Sequence, residues 1–274
     1  MIPLITRYTI KTAEFFQQQL DYIFFLYGFA FILLAAVCLI MRRERTGQLP
    51  WVWLGFFGLV HGITAWLEML ASSLGDGTVF SAVRLVLMTL SFVLLFEFGR
   101  DGLLRLQGKA PGRWIYAPLL VLAISGGFAG LPGLNAAVRY SFGLAGGLLS
   151  CLCLFRASRM EAGTRNTLFC ASVLMACYTF ASGIAPAASF FPASVINQSS
   201  FFSLIGIPIQ LIRGLLTALI ATTFWLYYRQ YRDLRLPLVI QGTRTRYGLQ
   251  FAFLIIIVLA LGWVLTALVG RDAE

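Results

Sequence analysis

Arg84, Arg139 and Arg213 each stand inside a long apolar stretch of the chain, where a charged side chain is costly and asks for a partner. On an insertion scale the cost is roughly 2.5 to 3.5 kcal/mol for each at a helix centre. A guanidinium is a planar fork of N–H donors that matches a carboxylate or a phosphate, so the chemistry these positions suggest is recognition of an anion. One acid, Glu68, also lies within an apolar stretch, and His61 precedes it by seven residues, two turns along the same helical face. Asp21 and Asp76 stand at the rims. Three cations facing one intramembrane anion suit an anionic ligand. The expected binding set is Glu68, Arg84, Arg139, Arg213 and His61, edged by Gln210 and Asn197. Two other readings fit the same residues: arginines near a boundary can snorkel toward headgroups, and an Arg to Glu68 pair can fasten helices together.

Other chemistries are poorly supplied. One histidine cannot make a bis-histidine haem site, and no carboxylate cluster accompanies it, so neither a metal nor a cofactor is expected. Cys38, Cys151, Cys153, Cys170 and Cys177 all fall in apolar runs, where cysteine behaves as a small hydrophobe, and no disulfide framework is readable. An enzyme would need nucleophile, base and orienter to converge. Ser72, Ser73 and Ser91 have no base at a telling spacing, so no catalytic residue is expected.

The elements that must position these residues follow from composition. The chain is 59% hydrophobic and 12% charged, against roughly 45 to 50% and about 25% in a soluble domain. So few charges cannot cover a globular exterior, and lipid must cover the rest. A net charge of +10 could suggest nucleic acid, but that reading needs a basic face on a soluble fold. Here the basic residues sit in short loops, which is a signature of topology, so nucleic acid is not an expected partner.

A helix needs about 20 apolar residues to cross a hydrocarbon layer about 30 Å thick. The runs Tyr22–Met41, Trp51–Ser72, Val79–Phe98, Trp114–Gly130, Ala136–Phe155, Asn166–Ile184, Phe202–Tyr228 and Tyr247–Val269 meet that need. The expected fold is therefore an all-α polytopic transmembrane bundle of about eight spanning helices, a seven-helix core plus one trailing helix. Arg42, Arg43 and Arg45, then Arg100, Arg105, Lys109 and Arg113, then Arg156, Arg159 and Arg165, then Arg229, Arg232, Arg235, Arg244 and Arg246 fill alternate loops. The loops between them, 75–78, 131–135 and 185–200, hold no Lys or Arg. The positive-inside bias makes the charged loops cytoplasmic and both termini extracytoplasmic.

On this reading residues 1–21 are an extracytoplasmic interfacial segment, 22–228 a seven-helix membrane domain, 229–246 a basic cytoplasmic loop, and 247–274 an eighth helix with an outer tail. It also places Arg84, Arg139, Arg213 and Glu68 at one depth, in the outer half of the bilayer. Gly206 and Pro208 are expected to bend or unwind the seventh run beside Gln210 and Arg213. Gly58 and Gly62 have the small-xxx-small spacing that permits close helix approach.

Four stretches carry a family likeness. They are FGLVHGITAWLEML at Phe57–Leu70, LFEFGR at Leu95–Arg100, VRYSFGLAGG at Val138–Gly147, and FFPASVINQSSFFSLIGIPIQLIRGLL at Phe190–Leu216. Together they resemble the amino-terminal multi-helix membrane sensor region of bacterial sensor histidine kinases and related signalling proteins. The resemblance implies a non-enzymatic sensory input module in a bacterial inner membrane, feeding a cytoplasmic kinase or nucleotide cyclase elsewhere in the polypeptide. With the residue readings above, the expected partners are the lipid bilayer, an anionic small molecule or lipid headgroup, a second copy of the chain, and that signalling domain. The pattern often has an acidic residue just before the tryptophan; here the position is Ala65, so any role of that carboxylate does not transfer. No kinase or cyclase motif precedes Glu274, which fits a fragment of a longer protein. A small transporter and an accessory subunit of a larger membrane complex are the alternative classes.

Overall fold

The computed structural model describes residues 15–235. Over these residues the chain is all-α. Its helices are α1 (Leu20–Arg43), α2 (Trp51–Leu74), α3 (Thr78–Gln107), α4 (Tyr116–Ser125), α5 (Gly130–Val138), α6 (Leu144–Met160), α7 (Arg165–Ser182), α8 (Gln198–Ile205) and α9 (Ile209–Arg235). A π-helical turn, Arg139–Gly143, joins α5 to α6. Short links make successive long helices antiparallel. Six of them close into a ring in the order α1, α2, α3, α6, α7, α9, with α9 returning to α1.

Aromatic side chains fill the ring. Phe31, Phe57 and Phe92 surround the His61 imidazole, and Tyr178 packs on Phe31 and Phe57. Trp51 packs with Phe98, Phe224 and Tyr227 farther along the bundle. The seam between α1 and α2 is tight because glycine faces backbone there. A Cβ on Gly62 would stand 2.9 Å from the Gly28 carbonyl oxygen, and one on Gly58 2.8 Å from that of Phe31. The outward surface is apolar instead of polar: Val79, Val83, Val86 and Leu90 on α3 and Leu215, Leu219 and Leu226 on α9 are all exposed. Such a surface is stable against hydrocarbon, and these are the helices of a multi-pass membrane protein.

Among the described residues five helical stretches are long and apolar enough to cross a membrane: Leu20–Arg43, Trp51–Ser72, Thr78–Gln107, Arg113–Met160 and Ile209–Arg235. This corrects the expected eight. The fourth and fifth runs belong to one helical stretch, in which α4 has 10 residues, about 15 Å of rise and too little to cross alone. There the chain folds back near Gly130, so that Tyr116 stacks on Phe142 with ring centroids 6.3 Å apart. The sixth run is α7, whose Arg165, Asn166, Thr167, Ser172, Thr179 and Ser182 dilute its apolar character. The seventh is interrupted: α8 stops at Gly206 with a left-handed φ of 74°, Pro208 follows with no N–H to continue the ladder, and α9 starts afresh. The eighth run lies outside the described residues. The placement of both termini on one side rested on an even count of eight, and it falls with that count. In addition, α9 runs through Arg235, so Arg229, Arg232 and Arg235 are helical and not part of a loop.

Candidate functional site

Antiparallel alternation around the ring gathers Arg42, Arg43, Arg100, Arg105, Arg156, Arg159, Arg229, Arg232 and Arg235 at one end of the bundle. The opposite end is built from the starts of α1, α3 and α9, the finishes of α2 and α7, and the π turn. At that end lies a cavity of about 290 Å³, and Glu68, Arg84, Arg139, Arg213, His61 and Gln210 all line it. Tyr27, Thr64, Asp76, Ser81, Asn135 and Gln198 complete its polar wall, with Phe24, Leu85, Met88 and Leu131 among its apolar contacts. Asn197 stands apart. Its side-chain oxygen accepts from the Ser200 backbone N–H at 3.0 Å and its Nδ2 donates to the Ala193 carbonyl at 3.0 Å, which caps α8 and shapes the preceding loop. The asparagine expected at the edge of the site is thus a structural cap.

The three arginines are 8%, 7% and 2% exposed for Arg84, Arg139 and Arg213, and the structure divides them. Arg84 donates from Nη1 to Glu68 Oε2 at 2.5 Å and from Nη2 to Asp76 Oδ2, while its guanidinium faces the Phe80 ring at 5.4 Å. Two carboxylates therefore share one guanidinium, and this side of the cavity carries a formal surplus of one negative charge. The Ser81 hydroxyl donates to Asp76 Oδ1 at 2.7 Å. That bond first, and the Arg84 contact second, hold the Asp76 carboxyl below the usual carboxylate range.

Arg139 and Arg213 have a different arrangement. Among the described residues no carboxylate forms an ion pair with either. Arg213 donates from Nε to the Ala181 carbonyl at 3.0 Å and from Nη2 to the Ile184 carbonyl at 2.5 Å. Arg139 donates from Nη1 to the Ser182 carbonyl at 3.3 Å and from Nε to Asn135 Oδ1 at 2.9 Å. The last carbonyls of a helix lack intrahelical donors and carry the negative end of its dipole, equivalent to about half an elementary charge. The end of α7 thus answers two full cations with roughly half a charge, and this side of the cavity keeps a positive surplus.

Local structure explains how Arg139 arrives there. It opens the π turn, where a widened helical turn accommodates one extra residue and turns the following side chains relative to the preceding ones; such turns recur at functional sites. Asn135 lies one turn earlier and holds the Nε of Arg139 in place.

His61 sits between the ring aromatics and the cavity floor. The Ser91 hydroxyl donates to the Met88 carbonyl at 2.6 Å, so toward His61 Nδ1, 2.8 Å away, it acts as acceptor. That assigns the proton to Nδ1 and leaves Nε2 to accept from the Tyr27 hydroxyl at 2.9 Å. The Tyr27 oxygen also adjoins the Arg213 guanidinium. A neutral imidazole with both nitrogens bonded is a structural element of the floor and holds α1, α2 and α3 in one register.

Several members of the site were not among the expected residues. Tyr27 and Gln198 have no distinguishing spacing, whereas Ser81 stands three residues before Arg84 on the same helix and accepts from it. Asn135 likewise has one, standing four residues before Arg139, an i, i+4 neighbour able to hold it. The carbonyls of α7 leave no trace in side-chain identity. No protein-family model, curated protein or solved structure matches this chain. The likeness to sensor membrane regions accordingly stands on its residues alone, and what fold and site define is a polytopic membrane protein with a charged cavity at one end.

Proposed function

We propose that this chain is a sensory input domain of a bacterial inner-membrane signalling protein, and that it binds an anionic group between Arg139 and Arg213. The observation that carries this reading is the pair of buried guanidiniums held by carbonyl dipoles, neither ion-paired to a carboxylate among the described residues. Burial strengthens each electrostatic contact, so an anion reaching both forks replaces lost hydration with charge-assisted hydrogen bonds. The basic clusters at the other end support a cytoplasmic placement for that end and hence an outer position for the cavity. Binding acts on signalling by favouring one helix arrangement through differential affinity. The interruption at Gly206–Pro208, directly before Gln210 and Arg213, is a suitable place for the arrangements to differ. In this reading the chain is no enzyme; it couples to a cytoplasmic output domain and works as a homodimer.

The test is binding of inorganic phosphate and short carboxylates to the purified protein in nanodiscs, with Arg139→Met and Arg213→Met beside wild type. Loss of one charged donor fork is expected to weaken binding about tenfold to a hundredfold. If both variants bind every such anion as wild type does, the reading fails.

A small transporter is the second reading, and one observation favours it. The helix that lines the cavity at Arg139 is widened by a π turn and the chain is broken before α9, and a broken helix beside a charged site is a transporter feature. Anion flux into proteoliposomes, absent in Arg213→Met, would support it over the sensor.

A further inference from the structure

The two charge surpluses line one space. Glu68 and Asp76 leave a formal negative charge around Arg84, whereas Arg139 and Arg213 leave a positive one over the end of α7. Both sides line the same cavity of about 290 Å³. A simple anion satisfies only one of them, and it leaves the acidic side facing the ligand's own negative charge.

We infer that the ligand is a zwitterion, with a carboxylate or phosphate bound by Arg139 and Arg213 and an ammonium a few bonds away facing Glu68 and Asp76. The inference rests on the anion-binding reading above and adds the second charge. The two sides share one cavity of about 290 Å³, so both charges of the ligand lie within its span. His61 forms the floor beneath the two arginines, and Glu68 lies seven residues farther along the same helix, about 10 Å of rise. Glu68 Oε2 is committed to Arg84 and Asp76 holds its oxygens toward Ser81 and Arg84, yet each carboxylate keeps lone pairs for a further donor. An ammonium has three donors to offer them. The chemistry is shared by a free amino acid and by the phosphoethanolamine headgroup of a lipid.

The experiment compares pairs that differ only by the replacement of an ammonium with a methyl group: 4-aminobutyrate against pentanoate, and phosphoethanolamine against propyl phosphate. Affinities are measured by calorimetry on the full chain in phosphatidylglycerol nanodiscs. The zwitterion of at least one pair is expected to bind about tenfold or more tightly than its partner, and Glu68→Gln is expected to shrink that ratio toward one. Asp76→Asn, on the exposed rim, provides a second variant should Glu68→Gln fail to fold, and it is expected to move the ratio the same way. Thermal stability in phosphatidylethanolamine nanodiscs against phosphatidylglycerol ones separates the sources. Stabilisation by phosphatidylethanolamine, reduced in Asp76→Asn, with no response to the soluble zwitterions identifies a headgroup and supports the inference. Equal affinity within both pairs together with no lipid preference overturns it while leaving the anion site standing. Failure of pentanoate, propyl phosphate and both zwitterions to bind, together with no lipid preference, overturns the anion site as well.

Discussion

Arg139 and Arg213, far apart in sequence and on different helices, donate to adjacent carbonyls of the same helix end, those of Ser182 and Ala181. Neither forms an ion pair with an acid among the described residues, so α7 acts as their shared counter-charge. Helix termini are a weak substitute for a carboxylate. The site is consequently stable enough to fold while still being short of negative charge.

The Arg84 arrangement is expected to show strong coupling. Removing Glu68 as Gln leaves a guanidinium buried with one rim acid, and the half-buried position of Glu68 limits the loss to about 1 to 2 kcal/mol. In a double-mutant cycle, Arg84→Met combined with Glu68→Gln is expected to cost less than the two single changes added together. Unfolding in mixed detergent measures it, and strict additivity would show that the pair does not interact.

Acid should weaken the same group. The Asp76 carboxyl is held below its ordinary range in the folded chain, chiefly by Ser81 and then by Arg84. A depressed value means that its contribution is complete above the unfolded value, near pH 3.9, and is lost as pH falls through the lower folded value. Thermal stability below about pH 4 is thus expected to fall more steeply in wild type than in Asp76→Asn. Parallel curves for the two proteins would remove Asp76 from the acid response.

The His61 network permits a direct check of its proton assignment. Ser91→Ala strands the Nδ1–H in an apolar surround, and Tyr27→Phe strands the Nε2 lone pair, each at a cost of about 1 to 3 kcal/mol. Nitrogen NMR of labelled imidazole should report the Nδ1–H tautomer in wild type. The Nε2–H form would reverse the donor roles of Tyr27 and Ser91.

Packing at the α1–α2 seam should be intolerant of added volume. Gly62→Leu drives a side chain into the Gly28 backbone, and an overpacked core position costs about 1 to 3 kcal/mol. A loss of less than half that, measured by denaturant titration in detergent, would mean that the helices separate easily and that the seam does not fix the cavity's width.

Much of the site was legible before any coordinates. Charges buried in hydrocarbon are costly, and helices that alternate in direction bring residues of equal depth together, so Glu68, Arg84, Arg139, Arg213, His61 and Gln210 could be grouped from their positions in apolar runs alone. Asn197 does not line the cavity and caps α8 instead, a role that the Ser200 three residues later marks in the sequence. The count of eight exceeds the five spans among the described residues because the α4–α5 stretch folds back on itself and polar residues dilute α7, the eighth run lying outside those residues. Hydropathy sums over the α4–α5 stretch without registering its fold at Gly130.

Residue types and their periodicity alone determined that this is an all-helical membrane protein with cations at one end of the bundle and arginines inside it, because the solvent preference of each side chain is a local property. Only the tertiary structure decided which arginine receives a carboxylate and which a helix end. That division depends on backbone carbonyls, which every residue has, and they become a counter-charge only once folding points a particular helix terminus at the site.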